Sequence, residues 1–173
     1  LLLRHPERFA PIQPQSVAMR SLISLTEHRR ELVGDKTRLT NRLTNTLKQY
    51  YPQTLDWFEQ RDTVLFIDFL TRWPTLAQAK RARIDHLKAF FHAHNSRRTK
   101  VINTRLESIK SALPLTEDLG VITPCRLHAL MLVKQLRVTL QAIEQFDHEI
   151  AELAPTLPDY SLSVSYTHLR AHE

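Results

Sequence analysis

Residues 16–50 read SVAMRSLISLTEHRRELVGDKTRLTNRLTNTLKQY, and this stretch decides the fold. It holds one glycine, Gly34, and no proline. Leu22, Leu25, Leu32, Leu39, Leu43 and Leu47 recur at spacings of three, four and seven, which puts them on one side of a helix. Pro14 precedes the stretch and Ser16 can cap its first turn. Tyr51-Pro52 stops it, because a residue before proline is pushed out of the helical region. At the helical rise, a helix over 16–50 is roughly 50 Å long and is expected to project from a domain of this size.

The seam is imperfect. With Leu22 and Leu25 as heptad positions a and d, Arg29 and Lys36 fall at core positions, where a pure zipper would not place them. One reading is a bent helix whose basic side chains reach past the seam into solvent. The sharper reading is a phosphate-facing stripe of Arg29, Arg30, Lys36, Arg38, Arg42 and Lys48, with Asn41 and Asn45 as neutral hydrogen-bonding groups.

Working outward, 173 residues make one domain, or one elongated module with a small insertion. Two glycines in the chain argue against tight hairpins and for an all-helical build. The single cysteine, Cys125, excludes a disulfide framework and a thiolate metal cage, and a cytoplasmic protein is expected. There is no run of 18 apolar residues and so no expected transmembrane helix. Leu1-Leu2-Leu3-Arg4 lacks an initiator methionine and is too short and charged for a signal peptide, so the chain is expected to be cut from something longer. Charge is uneven. Residues 1–112 carry 20 Lys/Arg against 10 Asp/Glu, and residues 113–173 carry 4 against 8. A basic front and an acidic end point to a polyanionic partner for the front.

Pro6, Pro11 and Pro14 make 1–15 an extended leading segment. After Pro52, Leu55, Trp57 and Phe58 form an apolar knot. Asp62 or Thr63 then caps a short helix, Val64 to Thr71, which Trp73-Pro74-Thr75 breaks. Further helices are predicted over 76–82, 84–94 and 99–112. Residues 114–123 read as a connector, and Pro124 as a first-turn proline of a helix running to about Leu153. There Ala129, Val133, Leu136, Leu140, Ile143 and Ile150 follow an a/d pattern that Asp147 interrupts. The expected architecture is all-α. Helices 16–50 and 124–153 form a long antiparallel hairpin, a coiled-coil rod, with 51–123 as a small helical bundle at its tip and 154–173 as an irregular tail.

No catalytic constellation is visible. On a helix, His92 and His94 point about 200° apart and cannot share a metal. There is no glycine-rich phosphate loop, nucleophile elbow or zinc spacing. Asp62, Asp68, Glu144, Asp147 and Glu152 read as caps and solvated faces. The nucleic-acid signal is stronger. Residues 80–110 hold nine basic residues against Asp85 and Glu107. Arg97-Arg98 fall at a helix N-terminus, where they oppose the macrodipole and an external anion would help.

The run Lys36-Thr37-Arg38-Leu39-Thr40-Asn41-Arg42-Leu43, late in a long helix that ends at Tyr51-Pro52, resembles the linker helix of the insertion-sequence one-ten transposases, relatives of the Piv-type invertases. Three later stretches agree in order: Arg72-Trp73-Pro74-Thr75 followed by Ala79-Lys80-Arg81-Ala82, the Leu87 to Phe91 core, and the heptad helix followed by Leu157-Pro158-Asp159-Tyr160. The likeness covers about 1–162. It implies a RuvC-like domain with acidic ligands for a divalent metal such as Mg, a coiled-coil segment, and a serine-bearing domain, acting on DNA with a structured guide RNA. Neither the acidic set nor the serine motif can be placed in this chain, so no catalytic residue, metal site or cofactor carries over. Residues 163–173 resemble a translated sequencing adaptor rather than natural protein.

The expected function is therefore that of a transposase segment that helps subunit assembly and holds nucleic acid in DNA transposition. Arg38, Asn41, Arg42, Lys48, Arg97, Arg98, Lys100 and Arg105 are the candidate contacts, and DNA, guide RNA and further copies of the chain are the partners. The competing reading is a helical scaffold with no nucleic-acid role, assembled through Leu136, Leu140 and Ile143.

Overall fold

The structure, a computed structural model, describes residues 16–95 and 98–157. All regular elements among them are helical: α1 Val17–Tyr50, α2 Gln53–Trp57, α3 Val64–Arg72, α4 Leu76–Arg81, α5 Ile84–Ala93, α6 Thr99–Ser111 and α7 Leu119–Leu153, closed by a 3-10 turn, Ala154–Thr156. The class is all-α, as the periodicity requires. Of the tail expected over 154–173, residues 154–156 form the 3-10 turn, and the rest beyond Leu157, with its adaptor-like end, lies outside the described residues, as does the leading segment 1–15. The helices divide into two compact units. One comprises Leu1–Arg30 with Glu144–Glu173, the other Glu31–Ile143.

The larger unit, 31–143, holds the core. The end of α1 contributes Leu43, Leu47 and Tyr50, and α7 contributes Ala129, Leu132, Val133 and Leu136. Between them in sequence, the short helices supply Phe66, Ile67, Phe69, Leu70, Leu87, Phe90, Phe91, Ile102 and Ile109. Phe69 is the hub of the aromatic cluster, with ring centroids 4.9 Å from Phe58 and 5.2 Å from Trp73. Burying each such side chain contributes about 1.5–3 kcal/mol, more than isolated helices of 5 to 13 residues can supply for themselves. Within this unit α1 and α7 run antiparallel. Gln49 Oε1 lies 3.4 Å from Cys125 Sγ, and Thr46 Oγ1 lies 3.3 Å from His128 Nδ1.

Local sequence explains the breaks. Thr63 caps α3 by accepting from Phe66 N, and Thr75 caps α4 by accepting from Gln78 N, both at 3.3 Å. Asp62 is not the cap; its carboxylate holds Lys36 at 2.7 Å. The start of α7 departs from the expected position. It begins at Leu119, so Pro124 lies in the second turn. Asp118 is the reason: its Oδ1 accepts from Gly120 N at 2.7 Å and its carbonyl from Ile122 N at 2.9 Å. A Cβ on residue 120 would stand 3.1 Å from that carboxylate oxygen, so glycine allows the close approach. Pro124 lacks the N–H that would reach back to the Gly120 carbonyl, a loss that a well-capped first turn tolerates.

The smaller unit pairs the start of α1 with the end of α7. Ser16 Oγ accepts from Met19 N at 3.2 Å, the cap expected there. His28 and Phe146 meet edge-on with centroids 6.3 Å apart. Arg29 donates to both carboxylate oxygens of Asp147, through Nη2 at 3.2 Å and through Nε. Leu22 and Leu25 are half-buried, and Leu157 is buried.

Candidate nucleic-acid interface

The positive charge belongs to one unit. Residues 31–143 carry 18 Lys/Arg against 10 Asp/Glu, a formal +8, and the rest of the chain is at −2. The acidic end seen in the sequence begins only at Glu144. From 119 to 143, α7 has Arg126, Lys134 and Arg137 and no carboxylate.

Two grooves in this unit are walled by α1 and α7. One, of about 620 Å³, is lined by Asp35, Arg38, Leu39, Arg42, Lys134, Gln135, Val138 and Thr139. The other, of about 430 Å³, is lined by Arg42, Asn45, Thr46, Gln49, Pro124, Cys125 and His128. Arg42 is common to both. Helical geometry explains the α1 wall: positions 38, 42, 45 and 49 fall within about 60° of arc. The lining combines cations with neutral amides and hydroxyls, a mixture suited to phosphate and sugar oxygens.

The candidate contacts separate by what already occupies them. Arg42 and Lys48 on α1 and Lys134 on α7 are exposed, and none has an ion-pair partner among the described residues. Asn41 is exposed beside them. Arg38 is exposed but donates to Asp35 one turn back, at 2.5 Å. Of the wider stripe, Arg30 bonds Glu27, Arg29 bonds Asp147 and Lys36 bonds Asp62. The carboxylates read as solvated faces thus neutralise much of that stripe. Hydrogen bonding from Lys36 holds the Asp62 carboxyl below its ordinary range, and the bond to Asp147 raises Arg29.

In 80–110 the nine cations are likewise unequal. Lys110 Nζ donates to the carbonyls of Lys80 and Ala82, and Lys80 Nζ donates to Ala112 O at 2.8 Å. Each lysine therefore caps the end of the other's helix and is spent internally. Arg105 is half-buried. Its guanidinium carbon lies 4.7 Å from the Phe58 ring centre and 5.1 Å from that of Phe91, and its Nε donates to Trp57 O at 2.7 Å. Burial lowers its pKa. Arg98, which directly precedes α6, and Lys100 in its first turn are exposed; Arg97 lies outside the described residues.

Sequence reading missed Lys134, because net charge over 113–173 concealed the basic part of α7, and it missed His128 and Gln135, which carry no charge to signal them. It also missed the role of Asp68. This side chain binds His94 Nε2 at 2.7 Å and Arg137 through its other oxygen, tying α3, α5 and α7 together. Among the described residues no three histidine, cysteine or carboxylate side chains gather into a metal-holding group. With Asp62, Asp68 and Asp147 each committed to a cation, the donor set does not fit the divalent metal that the transposase likeness implies. No helix in the described residues is long and apolar enough to cross a membrane.

A family model described as a transposase, the DEDD transposase of IS110, matches residues 1–52. No curated protein and no solved structure matches the chain. The matched stretch takes in all of α1 and stops at Tyr51-Pro52, where the helix ends. The matched stretch thus includes the helix that carries Arg38, Asn41, Arg42 and Lys48.

Proposed function

We propose that this chain is a non-catalytic, nucleic-acid-holding segment of a transposase of the insertion-sequence one-ten type, working in DNA transposition. The observation that carries the reading is the α1/α7 groove, where Arg42 and Lys134 face solvent with no carboxylate partner among the described residues, beside Asn45, Gln49 and Gln135. The transposase likeness over 1–52 supports DNA as the general partner. A structured guide RNA is the finer proposal, favoured by a lining of amides and hydroxyls that suits sugar oxygens as well as phosphates. Divalent-metal chemistry is assigned to other parts of such a recombinase, in a cytoplasmic setting.

Subunit assembly is the second role. Leu127 and Met131 are 58% and 41% exposed one turn apart on α7, outside the lining of the α1/α7 grooves, where a partner helix could cover them. This replaces Leu136 as the assembly residue: Leu136 is fully buried in the chain's own core.

The test is binding of single-stranded RNA and of duplex DNA across a salt series. Arg42→Glu and Lys134→Glu should each weaken binding and flatten the dependence of log affinity on log salt, by about 0.7–0.9 for each phosphate no longer neutralised. An affinity that is absent, or unmoved by salt and by both variants, would leave the scaffold reading in its place.

A further inference from the structure

Arg105 is a cation without a counter-charge. Two aromatic rings and one carbonyl fix its guanidinium plane, yet no carboxylate among the described residues pairs with it. A guanidinium has five N–H donors. Only Nε is spent here, so both Nη groups lack an acceptor among the described residues. The Nη groups are not among the buried atoms left without a partner, so the fork is open at the surface and oriented for an acceptor from outside the chain.

The surroundings supply a place for that partner. Between α2 and α6 lies a pocket of about 300 Å³ lined by Asp56, Trp57, Lys100, Val101, Thr104, Arg105 and Ser108. Lys100 is exposed and has no ion-pair partner among the described residues. Positions 100, 101, 104, 105 and 108 span about 140° of the α6 circumference, with Lys100 and Arg105 at its two edges, so these long side chains flank the pocket they both line. Thr104 adds a hydroxyl. Asp56 is the one opposing charge, exposed and bonded to neither cation. A planar fork, a point-charge ammonium and a hydroxyl around a small pocket match a tetrahedral, multi-oxygen anion.

We infer that this pocket is a single-phosphate site, with Arg105 as the oriented fork and Lys100 as the second cation, filled by a backbone phosphate of bound nucleic acid. The inference rests on the nucleic-acid reading above but uses residues separate from the α1/α7 groove.

The test follows the Trp57 indole N–H resonance of the full chain during titration with a single-stranded oligonucleotide and, separately, with inorganic phosphate. The oligonucleotide should shift it, Lys100→Ala should weaken that shift several-fold, and Asp56→Asn should strengthen it several-fold. Both replaced side chains are exposed, so the fold should survive, as circular dichroism would verify. Arg105→Lys keeps the charge and loses the fork, and should also weaken the site. A response to phosphate but not to the oligonucleotide overturns the backbone assignment in favour of a free phosphate. Oligonucleotide binding that Arg42→Glu weakens while Lys100→Ala and Asp56→Asn leave it unchanged overturns the pocket and spares the groove. If neither ligand shifts Trp57, there is no phosphate site here.

Discussion

Arg29 on α1 and Asp147 on α7 form a two-pronged ion pair, Nη2 to Oδ2 at 3.2 Å with Nε bonded to Oδ1. Each residue is a polar interruption of its own heptad pattern. A cation in one seam and a carboxylate in the other satisfy each other, which fixes a register that leucines alone would leave free to slide. The side chains are 40% and 48% exposed, so the pair contributes little to stability. Arg29→Ala and Asp147→Ala should each cost under about 1 kcal/mol. Arg29→Asp should cost more, because two carboxylates then meet, and the exchange Arg29→Asp with Asp147→Arg should recover most of that loss. Thermal unfolding of the single and double variants measures the coupling. No recovery in the exchange would mean the register is set elsewhere.

Lys80 and Lys110 belong to the fold rather than to a ligand surface. Lys110 closes the carbonyl end of α4, and Lys80 reaches Ala112 at the end of α6. Lys110→Met keeps the aliphatic stem and removes the donor, leaving the carbonyls of Lys80 and Ala82 without it. A decrease of about 1–2 kcal/mol in unfolding free energy is expected, with nucleic-acid affinity unchanged. A variant of full stability that binds more weakly would reverse the assignment.

These two cases show what sequence periodicity can carry. The leucine spacing of α1, its Ser16 cap and the proline stop at Tyr51-Pro52 are legible, because each acts over a few residues. Arg29, Lys36 and Lys110 are legible only as charges. Whether a lysine faces a phosphate or a carbonyl thirty residues away depends on tertiary packing, which no local spacing encodes. The α7 start escapes local reading for a related reason. Proline is welcome in a first turn, but the Asp118 carboxylate and Gly120 form a better cap five residues earlier. The basic wall of α7 is hidden when Lys134 and Arg137 are averaged with the carboxylates that follow Ile143.

Leu132 tests how far α7 exceeds a simple seam. An a/d reading of 129, 133, 136 and 140 omits it, yet it is fully buried, because α7 packs on the short helices as well as on α1. Leu132→Ala should cost about 2–5 kcal/mol. Its neighbour Met131, 41% exposed, should lose no more than about 0.5 kcal/mol on the same replacement. Chemical denaturation of both variants gives the contrast. Equal, small losses would mean that α7 uses only its narrow seam.

Asp68 gives the fold a defined acid sensitivity. Burial alone would raise its carboxyl pKa, but hydrogen bonds from His94 and Arg137 outweigh burial and hold it below the ordinary range. A carboxyl depressed in the folded state binds its proton more weakly there than in the unfolded chain. Its stabilisation is therefore complete above the unfolded value, about pH 4, and is lost as the pH falls through the lower native value. Asp62, depressed by Lys36, adds to the same window. Asp68→Asn should lower stability near neutral pH by about 1–3 kcal/mol, since Arg137 and His94 lose their anion. It should also reduce the slope of stability against pH below about pH 4 relative to the parent chain. Denaturant midpoints from about pH 7 down to about pH 2.5 would measure both effects, spanning the carboxylate range. Parallel curves for parent and variant would show that Asp68 titrates alike in the folded and unfolded chains, and that the α3–α5–α7 tie contributes through packing rather than charge.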